Sequence, residues 1–337
     1  MIRKWAFLFT AFTVSVAAVG AQAQTYPART IRLVAPYAPG GIADIAARLI
    51  GQKLSEAWGQ QVITENRPGA NGFLGVTAVS RAEPDGYTLL VATAGDLTIN
   101  PVLFKKVPYD VGKDLVPITM LSDTPTVLAT NGASPYKTVA DVLKAAHAKP
   151  GEIPIASPGI GSINQLAFEW MGLGTGVKFL HVPYKGGAPA STSLAGGDVP
   201  LGVLAISSVA PFLQNGRIRV LAVTTAKRSS YNPEWPTLQE SGVPEVDVSN
   251  WTCLMAPAGT PQAIVDKIQA EVVRILNTPD IKQRFAAGGA VTIPTKTTGR
   301  FFCSMATCQA TAVSLASQGR MTISFGMARN DATCSTG

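Results

Sequence analysis

The residues with the most chemical potential in this chain are uncharged. In "APYAPGGIADIAARL" (35–49), Tyr37, Pro39, Gly40 and Gly41 precede an amphipathic segment, and no lysine or arginine occurs before Arg48. In "ASPGIGSINQLAFEW" (156–170), Ser157, Gly159, Gly161 and Ser162 occupy the same position ahead of a second segment. The first amides of a helix lack intrahelical acceptors, and the backbone dipole makes that end partly positive. Glycine removes the side chains that would hold a ligand away, so several N–H groups can point at one anion. A tight strand-to-helix connection explains either turn alone. Two such turns in one chain fit a cleft that grips a small anion from both sides. Neither turn ends in the Lys-Ser/Thr of a P-loop, and "GIGSIN" (159–164) has Asn164 where a dinucleotide loop has its third glycine.

Several neighbours have two roles open. Asp44 either caps the first helix or accepts a hydrogen bond from a ligand or water. Ser157 and Ser162 either donate to a carboxylate or cap, with capping favoured for Ser162. Tyr37 either covers a ligand or packs at a strand end. Lys185, in "HVPYKGGAP", stands beside a Gly-rich turn as a ligand contact or as a solvated surface cation.

An alternating chain has to position these turns. "TIRLVAPY", "QQVITENRPGANGF" and "YTLLVATAG" read as strands separated by the helices "IADIAARLIGQKLSEAWG" and "LGVTAVSRAEPDG". A second series follows: "TPTVLATN", "IPIASPGIG", "KFLHVPYKG" and "VPLGVLAIS" as strands, with "TVADVLKAAHAKPG", "SINQLAFEWMGLG" and "APASTSLAGG" as helices between them. "RIRVLAVTT" adds a strand, and 261–289 gives two late helices. The fold class is therefore α/β, with mainly parallel sheets flanked by helices in two units. Clefts in such folds lie at the carboxyl ends of strands.

Composition excludes several classes. The 337 residues are 46% apolar and carry a formal net charge of +7, with basic residues scattered among acidic ones rather than clustered with aromatics. Nucleic-acid binding is not expected. The two histidines, His147 and His181, are isolated, so no metal or other cofactor is expected, and no Gly-x-Ser-x-Gly elbow marks a hydrolase. Of the four cysteines, Cys303, Cys308 and Cys334 crowd the last 35 residues, and Cys253 sits in an apolar context that suits a small buried side chain. Arg3 and Lys4, the apolar run Trp5 to Gly20, and Ala21-Gln22-Ala23 have the layout of a secretory signal, with cleavage expected after Ala23 and an exported, soluble product.

The segments "YPARTIRLVAPYAPGGIADIAARLI", "VITENRPGANGFLG", "AEPDGYTLL", "INPVLFKKVPYD", "HVPYKGGAPA", "LAVTTAKRS" and "APAGTP" occur in order from about Tyr26 to Arg300. Together they resemble the Bug/TctC family, the exported solute-binding proteins of tripartite tricarboxylate transporters. The resemblance implies a two-lobed periplasmic binding protein of type II fold that closes on a small organic carboxylate between its lobes. It implies membrane permease subunits as partners and a monomeric state. Family-type contacts would come from Tyr37 to Asp44 and from Ser157 to Gln165. Others would come from Thr93 and Ala94 and from Tyr184, Lys185 and Gly186. The expected division is a signal at 1–23, a first lobe at 24–125 and 229–300, a second lobe at 126–228, and an atypical tail at 301–337.

Three departures stand out. Gln165 replaces a frequent histidine. Leu204 and Ala205 stand where many members carry an acid, which suggests a less polar distal end and a monocarboxylate or aromatic acid. Beyond Arg300, a Cys-, Ser- and Thr-rich stretch replaces the expected last helix and reads as frame-shifted or divergent. A ligand-sensing protein that signals to a membrane receptor and an α/β enzyme acting on a carboxylate remain as alternatives.

Overall fold

A computed structural model describes residues 26–295. The expectations for the signal at 1–23 and for the tail at 301–337, with Cys303, Cys308 and Cys334, lie outside the described residues.

The first series forms as expected: β1 (Ile31–Ala35), α1 (Ile42–Trp58), β2 (Val62–Asn66), α2 (Phe73–Ser80) and β3 (Thr88–Thr93). These strands pair in parallel in the order β2-β1-β3. After a π turn at Gly95–Ile99 come the one-turn helices α3 (Asn100–Leu103) and α4 (Val111–Asp114). The second series is β4 (Leu115–Asn131), α5 (Val139–Ala148), β5 (Pro154–Ser157), α6 (Ile163–Thr175), β6 (Leu180–Pro183), α7 (Gly187–Gly196), β7 (Leu201–Ala205), α8 (Ile206–Leu213) and β8 (Ile218–Val223). The last elements among the described residues are β9 (Ser249–Pro257), α9 (Gln262–Leu276), α10 (Pro279–Ala287) and β10 (Val291–Thr292).

One long strand joins the halves. Leu115 to Pro125 of β4 pair antiparallel with β9, and Thr126 to Asn131 pair with β7 and β8. The sheet order β2-β1-β3-β9-β4-β7-β5-β6 thus runs through two crossing strands, β4 and β9, into a second parallel group, β7-β5-β6. The sequence reading found only the second half of β4. Register shifts at Pro117/Thr119 and Met120/Ser122 break the alternation that would have marked the first half. It also missed β9, SNWTCLMAP, which is buried between β3 and β4 and so shows no polar/apolar alternation. Helix α8 escaped because "VLAISSVA" passes from strand to helix without a polar break.

Helices α1, α9 and α10 cover one face of the first group, burying Ile50, Leu54, Val272 and Phe285 against Leu33, Leu89 and Leu254. Helices α5 and α6 pack on the second group through Val142, Phe168 and Met171. Helices α7 and α8 cover its opposite face. Cys253 is fully buried within the sheet, as its apolar setting predicts. The segment after β8 stays with the second group. Thr224 donates to Thr126 O, Val248 donates to Thr224 O, and Tyr231 and Trp235 pack near β8.

Four strands end at helix starts that face one another: β1 leads to α1, β5 to α6, β6 to α7 and β7 to α8. This is the carboxyl-end geometry on which ligand sites of α/β sheets are built.

Candidate functional site

A narrow cavity lies between the halves, and the starts of all four helices line it. The first half contributes Gly41, Ile42 and Ala43 of α1. The second contributes Ser162, Ile163 and Asn164 of α6, Gly186 and Gly187 of α7, and Ala205 and Ser208 of α8. Tyr37, Thr93, Pro158 and Asn250 complete the lining, and none of these described residues is charged.

Open donors supply the polarity instead. Gly41 begins α1 with no side-chain cap, so the amides of Ile42, Ala43 and Asp44 have no intrahelical acceptor. In α6 the Ser162 hydroxyl accepts from the Gln165 N–H at 3.2 Å, leaving the amides of Ile163 and Asn164. Gly186 and Ala205 likewise start α7 and α8 without side-chain caps. Each helix start carries roughly half a positive charge, and four of them converge on one cavity.

The halves touch on both sides of the cavity. A methyl carbon built on Gly40 would sit 3.3 Å from Ala188 Cβ, and one on Gly95 would sit 3.1 Å from Gly161 O. Gly161 has φ +72°, and a methyl there would come within 2.8 Å of Asn100 Oδ1, so only glycine lets the second loop approach so closely.

The sequence-predicted residues fall into three groups. Tyr37, Gly41, Thr93, Ser162 and Gly186 line the cavity. Gly159, Tyr184 and Lys185 line an adjoining, wider and more open cavity, which shares Tyr37 and Pro158 with the first. The remainder are structural or marginal in their placement. Pro39 and Gly40 are exposed at the rim, and Ala94 is fully buried in the core. Asp44 accepts from the Gly40 N–H at 2.9 Å and pairs with Arg48 at 2.9 Å. Burial works against its charge, but Arg48, Gly40 and Asn66 outweigh that and hold its carboxyl below the usual range. Its carboxylate thus ties down the preceding loop through Gly40 and does not line the cavity. Gln165 turns back to accept from the Gly161 N–H at 2.8 Å.

Behind Tyr37 lies a fully buried acid. Asp96 accepts from the Tyr37 hydroxyl at 2.9 Å and from the Thr93 N–H and hydroxyl at 2.8 Å each. Burial nevertheless pushes its carboxyl up to about 6. Tyr37 therefore offers the cavity its ring, while its hydroxyl is held by Asp96.

Ser157 and His181 lie 2.7 Å apart, the spacing of a nucleophile and its base. The hydroxyl, however, is fully buried, donates to Gly159 O at 3.0 Å, and does not line the cavity. Burial against Phe168 drops the imidazole pKa to about 4. The native state then refuses a proton that the unfolded chain takes up near pH 6.5, so this residue lowers stability as pH falls from 6.5 to 4. Asp96 acts in the opposite sense. Its native pKa is raised, so its penalty is full above pH 6 and fades as pH falls towards 4. Replacing one unmasks the other. The expected result is that His181→Gln gains stability relative to the parent between pH 7 and pH 4.5, read from urea midpoints at the two pH values. An unchanged difference would show that the ring is already protonated in the native state.

Sequence reasoning missed Gly187, Ser208 and Asn250 as cavity residues, covered Asn164 only within the stretch Ser157 to Gln165, and named Ala205 only at the distal end of the pocket. Asn164 and Gly187 are each adjacent to a chosen residue. Ser208 needed α8 to be recognised. Asn250 left no signal, because its place depends on where β9 crosses the sheet.

Two sheet groups joined by crossing strands, with a cavity lined by helix starts between them, define a two-lobed solute-binding protein. The family model for the tripartite tricarboxylate transporter family receptor matches residues 46–299, and the chain belongs to that family. Protein BugT of Bordetella pertussis is 36% identical over 272 residues, covering 80% of this chain and 83% of its own. Rpa4515 of R. palustris, solved with adipate, superposes with a TM-score of 0.83 at 32% identity, covering 87% of this chain and 97% of its own. MatC of Rhodopseudomonas palustris, solved with bound malate, gives 0.79 at 30% identity, covering 87% and 99%. The family and its solved neighbours are periplasmic solute-binding proteins rather than enzymes. No helix among the described residues is long and apolar enough to cross a membrane.

Proposed function

We propose that the chain captures a small organic carboxylate between its lobes in the periplasm and delivers it, as a monomer, to the permease subunits of a tripartite tricarboxylate-type transporter. Export by a signal at 1–23, removed after Ala23, belongs to the same reading. The observation that carries it is the convergence of four uncapped or lightly capped helix starts on a cavity whose described lining is uncharged. Such a site favours an anion through fixed backbone donors and leaves a cation with no counter-charge. The carboxylates in the two solved neighbours support the choice of anion. We place the lobe division at 125/126 and near 248/249 instead of 228/229, because residues 224–248 bond to and pack on the second sheet group.

A thermal-shift screen of the mature protein tests the reading. Binding to the native state alone raises stability by about 4 kcal/mol at a ligand concentration a thousand times Kd. Mono- or dicarboxylates should raise the melting midpoint by several degrees, and matched neutral sugars and diamines should not. A shift with sugars or amines and none with acids would overturn it. Co-isolation of permease subunits with the ligand-loaded protein tests delivery.

A further inference from the structure

The cavity holds two side chains whose hydrogen bonds are missing. Asn164, in the first turn of α6, is fully buried, and neither its Nδ2 nor its Oδ1 has a partner. Asn250, on the crossing strand β9, is 7% exposed, and its Oδ1 is likewise unpartnered. Both side chains belong to the cavity lining. A buried amide without bonds is costly, so such groups persist where something else satisfies them.

The helix starts around these residues supply N–H groups only, which suit a carboxylate. None of those N–H groups bonds the Oδ1 of Asn164 or of Asn250, which stay without a donor. The unpartnered acceptors require a donor, and no cavity-lining side chain gives Asn164 one. The conclusion does not depend on which way the Asn164 amide is turned, since both of its ends are unpartnered. An ammonium would supply donors, but four partly positive helix ends oppose a cation in the same volume. A hydroxyl or an amide N–H meets both conditions.

We infer that the ligand is a carboxylate that also carries a neutral hydrogen-bond donor, a hydroxyl or a carboxamide, and that Asn164 with Asn250 reads that donor. This rests on the carboxylate reading above and narrows it. It also revises the sequence-based expectation of an apolar distal end. Leu204 is fully buried outside the lining and Ala205 contributes little polarity, but Asn250 reaches the cavity from another strand. An unsubstituted acid leaves the buried oxygen unbonded, and sites built to bond a ligand hydroxyl reject analogues that lack it.

Calorimetry on the mature chain with matched pairs tests this: lactate against propionate, malate against succinate, and malonamate against malonate. The donor-bearing member of the preferred skeleton should bind at least about tenfold more tightly. Asn164→Leu, similar in size, should bring that ratio to near one while the ligand-free melting midpoint stays level or rises. Should that variant fail to fold, Asn250→Leu and the ratio measured on the parent protein still decide the matter. Equal affinity for plain and donor-bearing acids overturns the inference and leaves the carboxylate reading standing. So does a ratio that survives Asn164→Leu, or tighter binding of alanine than of lactate. Binding of none of these acids, while a neutral sugar or an amine binds, removes both.

Discussion

Gly41→Leu is expected to abolish carboxylate binding while leaving the protein folded. Gly41 begins α1 at φ −81° and ψ 168°, a conformation open to any L-residue. A methyl built there meets only Ala38 O, at 3.5 Å, an ordinary contact. Leucine is a poorer helix start than glycine, and the cost to stability is about 1 kcal/mol. The cost to binding is much larger, because Gly41 lines the cavity and the new side chain occupies the volume in front of the Ile42, Ala43 and Asp44 amides. Isothermal calorimetry with the best ligand should show affinity reduced at least a hundredfold, equivalent to about 2.7 kcal/mol. The circular dichroism spectrum should match the parent's, and the ligand-free melting midpoint should fall by only a few degrees. Normal binding by a folded Gly41→Leu would show that the anion is held elsewhere. Gly161 would be a poor choice for the same test. Its positive φ and its closeness to Asn100 make any side chain there a strain on the fold as well as on the site.

Local pattern carried most of the fold and part of the site. Residues 31–93 gave up five elements correctly because each is a helix or a short strand with β-branched or aliphatic residues, set off by turn residues. The first half of β4 and all of β9 were illegible for a physical reason. A strand with bulges, or one buried on both faces, has no two-residue period to read. Those two strands are also what joins the lobes, so the closeness of Gly41 to Ser162 and Gly186 could be argued from the likeness of two glycine turns and from family resemblance, but not from the order of elements. The same limit applies to side chains. Tyr37 and Ser162 could be chosen because they adjoin glycine turns. Asn164 stands in the quoted stretch, yet its open amide becomes visible only when its surroundings are known. Asp96, whose charge is buried behind Tyr37, gave no hint in "VATAGD" of being more than a turn residue.

Closure itself can be blocked at a point outside the cavity lining, and Ala188→Trp is the substitution expected to do so. Ala188 is half-buried in the first turn of α7, facing Gly40 across the cleft. The 3.3 Å between its Cβ and a methyl built on Gly40 leaves no room for an indole while the lobes are together. With the lobes apart, the indole projects into solvent, so folding should be little affected. Overpacking costs about 1–3 kcal/mol in closed interfaces, and that cost falls on the closed state alone. Because apparent affinity scales with the population of the competent state, binding should weaken by about 5- to 150-fold. Small-angle scattering separates this mechanism from damage to the site. Saturating ligand should shrink the radius of gyration of the parent, whereas Ala188→Trp should remain at the ligand-free value at the same ligand concentration. If the variant contracts and binds like the parent, contact between Gly40 and Ala188 is not part of the ligand-bound state. In that case, α1 and α7 need not meet for the anion to be held.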